Sequence, residues 1–249
     1  MVEKAGERKE GWAVRVYVSA LRTLLPLLTS PSPLGAAQLG TWVANLLTLS
    51  SYGLAPLPLQ AAAYRPPQLR GGAGQQRGEG GEWSSGSEQS EGEGEGEGEG
   101  WRRWRVRVAA LLCLQALARA DPKALHAHWP ALLPTRHVLQ PCPRERTLLT
   151  AVLFDPKPKA RLAATSALSG MLEGPSTRPF LQVGEAGSGG GRGMAFTPLS
   201  ALLGQMMVQL HTGLLHGVAA DPDPAVVGGH LRALSTLLHS APYCSHPLN

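Results

Sequence analysis

Apolar residues return along this chain at helical rather than strand spacing. The clearest stretch is Val106, Ala109, Ala110, Cys113, Leu114 and Leu117, at i, i+3, i+4, i+7, i+8 and i+11. All six fall on one side of a helix and predict an apolar stripe facing a core. Shifted by 54 positions the pattern returns as Ala160, Ala163, Ala164, Ala167, Leu168 and Met171. Shifted by 66 more it returns as Val226, Gly229, His230, Ala233, Leu234 and Leu237. The turn ahead of the stripe recurs as well: Asp155-Pro156-Lys157-Pro158 matches Asp221-Pro222-Asp223-Pro224. The two shifts differ by 12, close to the length of the string GEAGSGGGRGM at 184–194, so a Gly-rich insert accounts for the irregular period.

The same reading predicts helices over 12–29 and 35–51, the first stopped by SPSP and the second followed by Pro56, Pro58, Pro66 and Pro67. Asp121 reads as an N-cap with Pro122 at the first helical position of a helix over about 122–133, which ends before Pro134. Residues 144–154 predict the partner of the helix at 159–172. Between these blocks, 71–100 is low-complexity and closes with EGEGEGEGEG. Alternating like charges with glycine cannot build a core, so the segment is expected to be a disordered, solvated linker. The expected organisation is an N-terminal helical pair (1–62), a Gly/Glu-rich linker (63–100), HEAT-like repeats (101–183), a flexible insert (184–194) and a C-terminal helical pair (195–249).

Helix pairs that each expose one apolar face gain stability by stacking, which buries a continuous core. The expected fold is therefore all-α, an α-solenoid of helix pairs with disordered inserts. Composition agrees. Hydrophobic residues make up 43%, enough for a core, but aromatics only 5%, so that core must be Leu, Ala and Val. Charge changes the picture more. Residues 71–100 carry eight Glu and one Arg, a net −7, so the overall +5 leaves +12 on the remainder. That permits acidic partners without naming one. Three unpaired cysteines fit a reducing compartment, the polar start MVEKAGERKEGW lacks a signal-peptide core, and no apolar stretch reaches membrane-spanning length. An intracellular protein, cytoplasmic or nuclear, with no membrane contact is expected.

Residues 155–172, DPKPKARLAATSALSGML, resemble the HEAT signature: an Asp in the turn, a Pro, then an Arg six residues after the Asp. The residues concerned are Asp155 and Arg161, and in HEAT proteins such residues hydrogen-bond across stacked turns as a ladder. The other units depart from it. Arg107 matches Arg161, but Trp101 stands where the Asp belongs; Asp221 matches Asp155, but Val227 stands where the Arg belongs. An incomplete ladder is expected. The blocks RVAALLCLQALARADPKALHAHWPALLP, TLLTAVLFDPKPKARLAATSALSGMLEG and AFTPLSALLGQMMVQLHTGLL resemble the conserved uncharacterised domain of the HEAT repeat-containing protein 6 family, over about 101–249. The resemblance implies a scaffold with no assigned catalytic residues, and it makes the chain read as a fragment of a longer solenoid.

Candidate chemistry is sparse. His126 and His128 are two apart and His211 and His216 five apart, whereas helical metal ligands need three or four. Cys113 lies on the core stripe, and Cys142 and Cys244 lie in Pro-flanked segments without a catalytic motif. GSGGGRG at 187–193 lacks the GK[ST] ending of a phosphate loop. No cofactor, metal or enzymatic activity is expected. The one notable cluster is Trp101-Arg102-Arg103-Trp104-Arg105-Val106-Arg107. Three readings fit it: a packed helix start, a contact with the preceding Glu tract, and a nucleic-acid surface. Arg102, Arg103, Arg105 and Arg107 are thus the candidate partner-binding residues. The leading expectation is a non-enzymatic protein-interaction scaffold; the alternative is weak nucleic-acid binding through the basic face at 102–107.

Overall fold

A computed structural model describes residues 2–29, 36–55, 102–140, 146–186 and 198–241. In chain order its helices are α1 (Val2–Leu28), α2 (Ala36–Leu49), α3 (Arg103–Ala120), α4 (Pro122–His126), α5 (Trp129–Leu132), α6 (Leu148–Phe154), α7 (Pro158–Leu172), α8 (Thr177–Ala186), α9 (Pro198–Ala220) and α10 (Pro224–Ser240). The described residues are all-α, with no strand among them. The expected linker, most of the Gly-rich insert, Trp101, Cys142 and Cys244 lie outside the described residues.

Four helices form a row: α1 packs on α3, α3 on α7 and α7 on α10. A second helix flanks each of the last three, with α2 on α3, α6 on α7 and α9 on α10. Each apolar stripe read from the sequence is the reason. Val106, Ala110, Cys113, Leu114 and Leu117 of α3 are buried, as are Ala160, Ala164, Ala167, Leu168 and Met171 of α7 and Val226, His230, Ala233 and Leu237 of α10. Small residues let the row close up. A Cβ on Gly229 would stand 3.2 Å from Leu162 Cδ1 and 3.3 Å from Thr165 Cγ2, so α10 rides directly on α7.

Four boundaries differ from the sequence expectation, each for a local reason; α6, expected from 144, begins at Leu148 because Thr147 caps it. α1 begins at Val2 rather than near residue 12, because EKAGERKE is, Gly6 apart, made of strong helix formers. The helix expected over 122–133 breaks at Ala127–His128 into α4 and α5, because Pro130 cannot donate the hydrogen bond that would continue it. α8 was not marked by any apolar period, and it runs three residues past the expected start of the insert. Its Phe180 ring stacks on His126 at 4.1 Å, and both rings meet Trp129 edge-on at 5.2 to 5.5 Å. That cluster closes α4, α5 and α8 into one packed edge.

The first helix pair is joined differently from the others. α2 and α3 lie side by side although residues 56–101 separate their described ends. Gly53, at φ +69°, sits against the Arg103 side chain so closely that a Cβ there would collide with it. Arg107 Nη1 donates to the Tyr52 carbonyl at 3.2 Å, and the Tyr52 ring meets Tyr17 of α1 edge-on. Arg146 Nη2 donates to the Ala55 carbonyl. The described residues on either side of 56–101 therefore lie against each other.

Candidate functional site

The most ordered polar feature is built from two copies of one turn. After α6, Asp155 adopts an extended backbone and its Oδ1 accepts from the Lys157 amide at 2.9 Å; Pro158 then opens α7. After α9, Asp221 Oδ1 accepts from the Asp223 amide at 3.0 Å, and Pro224 opens α10. An Asp that bonds its own backbone two residues on, followed by Pro at the first helical position, fixes the entry of each helix. Both carboxylates are thereby aimed at the preceding helix of the row.

Each meets an arginine there. Arg107 of α3 grips Asp155 through Nε to Oδ2 at 2.7 Å and Nη2 to Oδ1 at 3.0 Å. Arg161 of α7 grips Asp221 in the same way, at 2.7 and 2.8 Å. The third guanidinium nitrogen also repeats: Arg161 Nη1 donates to the Asp155 carbonyl at 2.9 Å, as Arg107 does to Tyr52. Arg107, Asp155 and Arg161 are buried. Planar two-point bonds of this kind are the strong class of charge-assisted hydrogen bond. Asp155 and Arg161 therefore do not join side chain to side chain; each bonds a neighbouring unit. The Asp absent from 101 and the Arg absent from 227 take no part in these two rungs, which are intact between three helix pairs.

Beside the second rung lies His230, fully buried, with Nε2 3.6 Å from Asp221 Oδ2 and neither ring nitrogen at hydrogen-bond length to a partner. Burial alone would raise the Asp221 carboxyl. The His230 contact, the Arg161 bonds and the Asp223 amide together outweigh it and hold the group at about 2. At 3.6 Å the imidazole is too far for a good hydrogen bond, so the two-point Arg161 grip carries most of the effect.

The four candidate arginines separate. Arg107 is buried in the first rung and has no surface for a partner. Arg102 and Arg103 are half-buried at the start of α3. Arg105 is exposed, and its guanidinium carbon lies 5.7 Å from the Trp104 ring centroid. Lys159, at the equivalent position of α7, is exposed with Nζ 5.5 Å from the same ring. Trp104 thus carries two cations, one from each helix, within the range of cation–π attraction. The repeat register sets Lys159 beside Arg105, but nothing at position 159 signals that its ammonium meets the Trp104 ring. Nor does anything mark the Tyr52 carbonyl.

Among the described residues no three His, Cys, Asp or Glu side chains stand together as a metal site. His211 and His239 spend Nδ1 on the carbonyls of Met207 and Ser235, four residues back. Burial pushes the Cys113 thiol up to about 11, and its Sγ lies 3.4 Å from the Leu21 carbonyl. No described helix is long and apolar enough to cross a membrane.

One row of packed helices, joined by two buried arginine–aspartate grips, makes the described residues an all-α fold. Residues 105–247 match a domain of unknown function, DUF4042, and the chain belongs to that family. No solved structure matches the chain.

Proposed function

We propose that the helix pairs form a HEAT-like α-solenoid, of the kind the HEAT repeat-containing protein 6 family implies, and that it serves as a non-enzymatic scaffold for protein partners. The observation that carries this reading is the pair of successive rungs, Arg107–Asp155 and Arg161–Asp221, which repeat one geometry across three helix pairs. Buried ion pairs of this quality fix register more than they add net stability. A chain that fixes the register of its helices holds a long surface in constant shape, which is what a docking scaffold requires. Along the row, Arg105, Trp104 and Lys159 make a basic, aromatic edge, and an acidic peptide segment fits that chemistry.

The test is binding of fluorescent Asp/Glu-rich peptides to the whole chain, compared with Arg105→Glu and Lys159→Glu. Peptide affinity is expected to fall at least about tenfold in the double variant. A duplex oligonucleotide that bound more tightly than any peptide, with affinity falling steeply in salt, would favour the nucleic-acid alternative instead. With Arg107 enclosed, that alternative has fewer cations to use.

A further inference from the structure

The Trp104 edge imposes a spacing on the carboxylates that meet it. The Arg105 guanidinium carbon and the Lys159 Nζ lie 5.7 and 5.5 Å from one ring centroid, so the two cations stand at most about 11 Å apart. Trp104 is half-buried, and Arg105 and Lys159 are exposed. An extended peptide rises about 3.3 Å per residue and turns alternate side chains to the same side. Carboxylates at i and i+2 therefore stand about 7 Å apart on one side, and two successive acids can meet the two cations at once. A small residue between them lets the backbone come down on the indole, whereas an unbroken acidic run would turn half of its charge away. Neither α3 nor α7 contains an Asp or Glu, so the helices that build the edge bring no carboxylate of their own to it.

The chain itself carries that acid-small-acid pattern. Glu91, Glu93, Glu95, Glu97 and Glu99 alternate with glycine, and Glu99 stands five residues ahead of Trp104. Laid out extended, the five carboxylates would share one side and leave bare backbone on the other. Several registers of such a tract satisfy the same two cations. Exposed ion pairs are individually weak and are screened by salt. A short covalent tether offsets that weakness with an effective concentration on the order of millimolar.

We infer that the alternating Glu-Gly tract at 91–100 is the resident ligand of the edge made by Trp104, Arg105 and Lys159, so that an acidic partner must displace it to dock. The edge is thereby self-limiting. A partner's apparent affinity is reduced by the fraction of chains in which the tract occupies the edge, and a partner with more closely matched or denser charge is selected over a weakly acidic one. The inference rests on the reading of this edge as an acidic-peptide site and adds the regulation of that site.

Two measurements on the whole chain test it. A zero-length carbodiimide joins a carboxylate and an amine in contact as an amide, with loss of water. Mass spectrometry is expected to find Lys159 joined to a glutamate of 91–99 within monomeric chains, well above the exposed Lys123 and the half-buried Lys157. That link should fade in about 0.5 M salt. In the second measurement, Glu91→Gln, Glu93→Gln, Glu95→Gln, Glu97→Gln and Glu99→Gln together should raise the affinity of a fluorescent Asp/Glu-rich peptide at least about threefold. The same five changes should give no gain in a chain that also carries Arg105→Glu and Lys159→Glu. Equal cross-linking of Lys159 and Lys123, or a peptide affinity that the five changes leave where it was, overturns the inference. Cross-links confined to covalent dimers overturn it too, by making another copy's tract the occupant. The acidic-peptide reading fails separately: it falls if the fivefold variant binds no peptide, and the Lys159 cross-link then decides the place of the tract alone.

Discussion

Gly217 of α9 leaves the space that the His230 ring fills: a Cβ at 217 would stand 2.6 Å from His230 Cε1 and 2.7 Å from Nε2. Alanine ordinarily stabilises a helix interior over glycine by about 1 kcal/mol. Here the clash should win, because the neighbour is a buried ring rather than a loose side-chain end. Gly217→Ala is expected to lower stability by roughly 1–2 kcal/mol, read from urea unfolding. Gly228→Ala, with open space around the added methyl group, should raise it. Gly217→Ala with His230→Ala together should recover part of the loss.

The first rung gives a larger effect. Asp155→Asn would leave the Arg107 guanidinium buried against a neutral amide. Breaking a buried pair from one side costs about 3–5 kcal/mol, and the chain should show it as a fall in the denaturation midpoint. Arg107→Met with Asp155→Leu removes both charges and should cost much less. Equal losses for the single and the double variant would count against the rung as an ionic contact.

Acid should act through the second rung. The Asp221 carboxyl sits at about 2 in the fold, below its value in an unfolded chain. A carboxyl depressed by folding adds stability that is complete above its unfolded value and is lost as pH falls through the folded one. Thermal stability should therefore decline from about pH 4 toward pH 2. Asp221→Asn should flatten that decline, as thermal scans at stepped pH would reveal.

His126 acts in the imidazole range. Burial between Phe180 and Trp129 lowers its proton affinity, against a smaller opposite pull from Asp121. A histidine depressed by folding is stabilising above its unfolded value, and that stability is lost as pH falls through the folded one. The chain should lose stability on acidification just below about pH 6.5. His126→Phe, which keeps the stacked ring, should remove this step and leave the carboxylate step in place.

Much of this architecture was legible in the sequence, and what was not has physical causes. The stripes at 106–117, 160–171 and 226–237 are periodic over three turns each, and the structure buries most of their positions. Pairing was harder. The signature draws the eye to Asp155 and Arg161 within one unit, whereas their side chains reach to Arg107 and Asp221, 48 and 60 residues away. Once the bonds are seen to run forward, the substitutions at 101 and 227 are seen to leave both rungs intact. The break between α4 and α5 was written in Pro130 but outweighed by the apolar run around it. Trp104 with Lys159, and His230 with Asp221, are meetings of distant segments that no local pattern announces.

The close approach of Gly53 to Arg103 bears on the order in which the molecule assembles. From 102 onward α6 meets α7, and α9 meets α10, across turns of three residues. Docking α2 onto α3 instead brings together positions about 50 residues apart in sequence, costing about 2 kcal/mol more in chain entropy than positions five apart. The α6–α7 and α9–α10 pairs should thus form before α2 docks on α3.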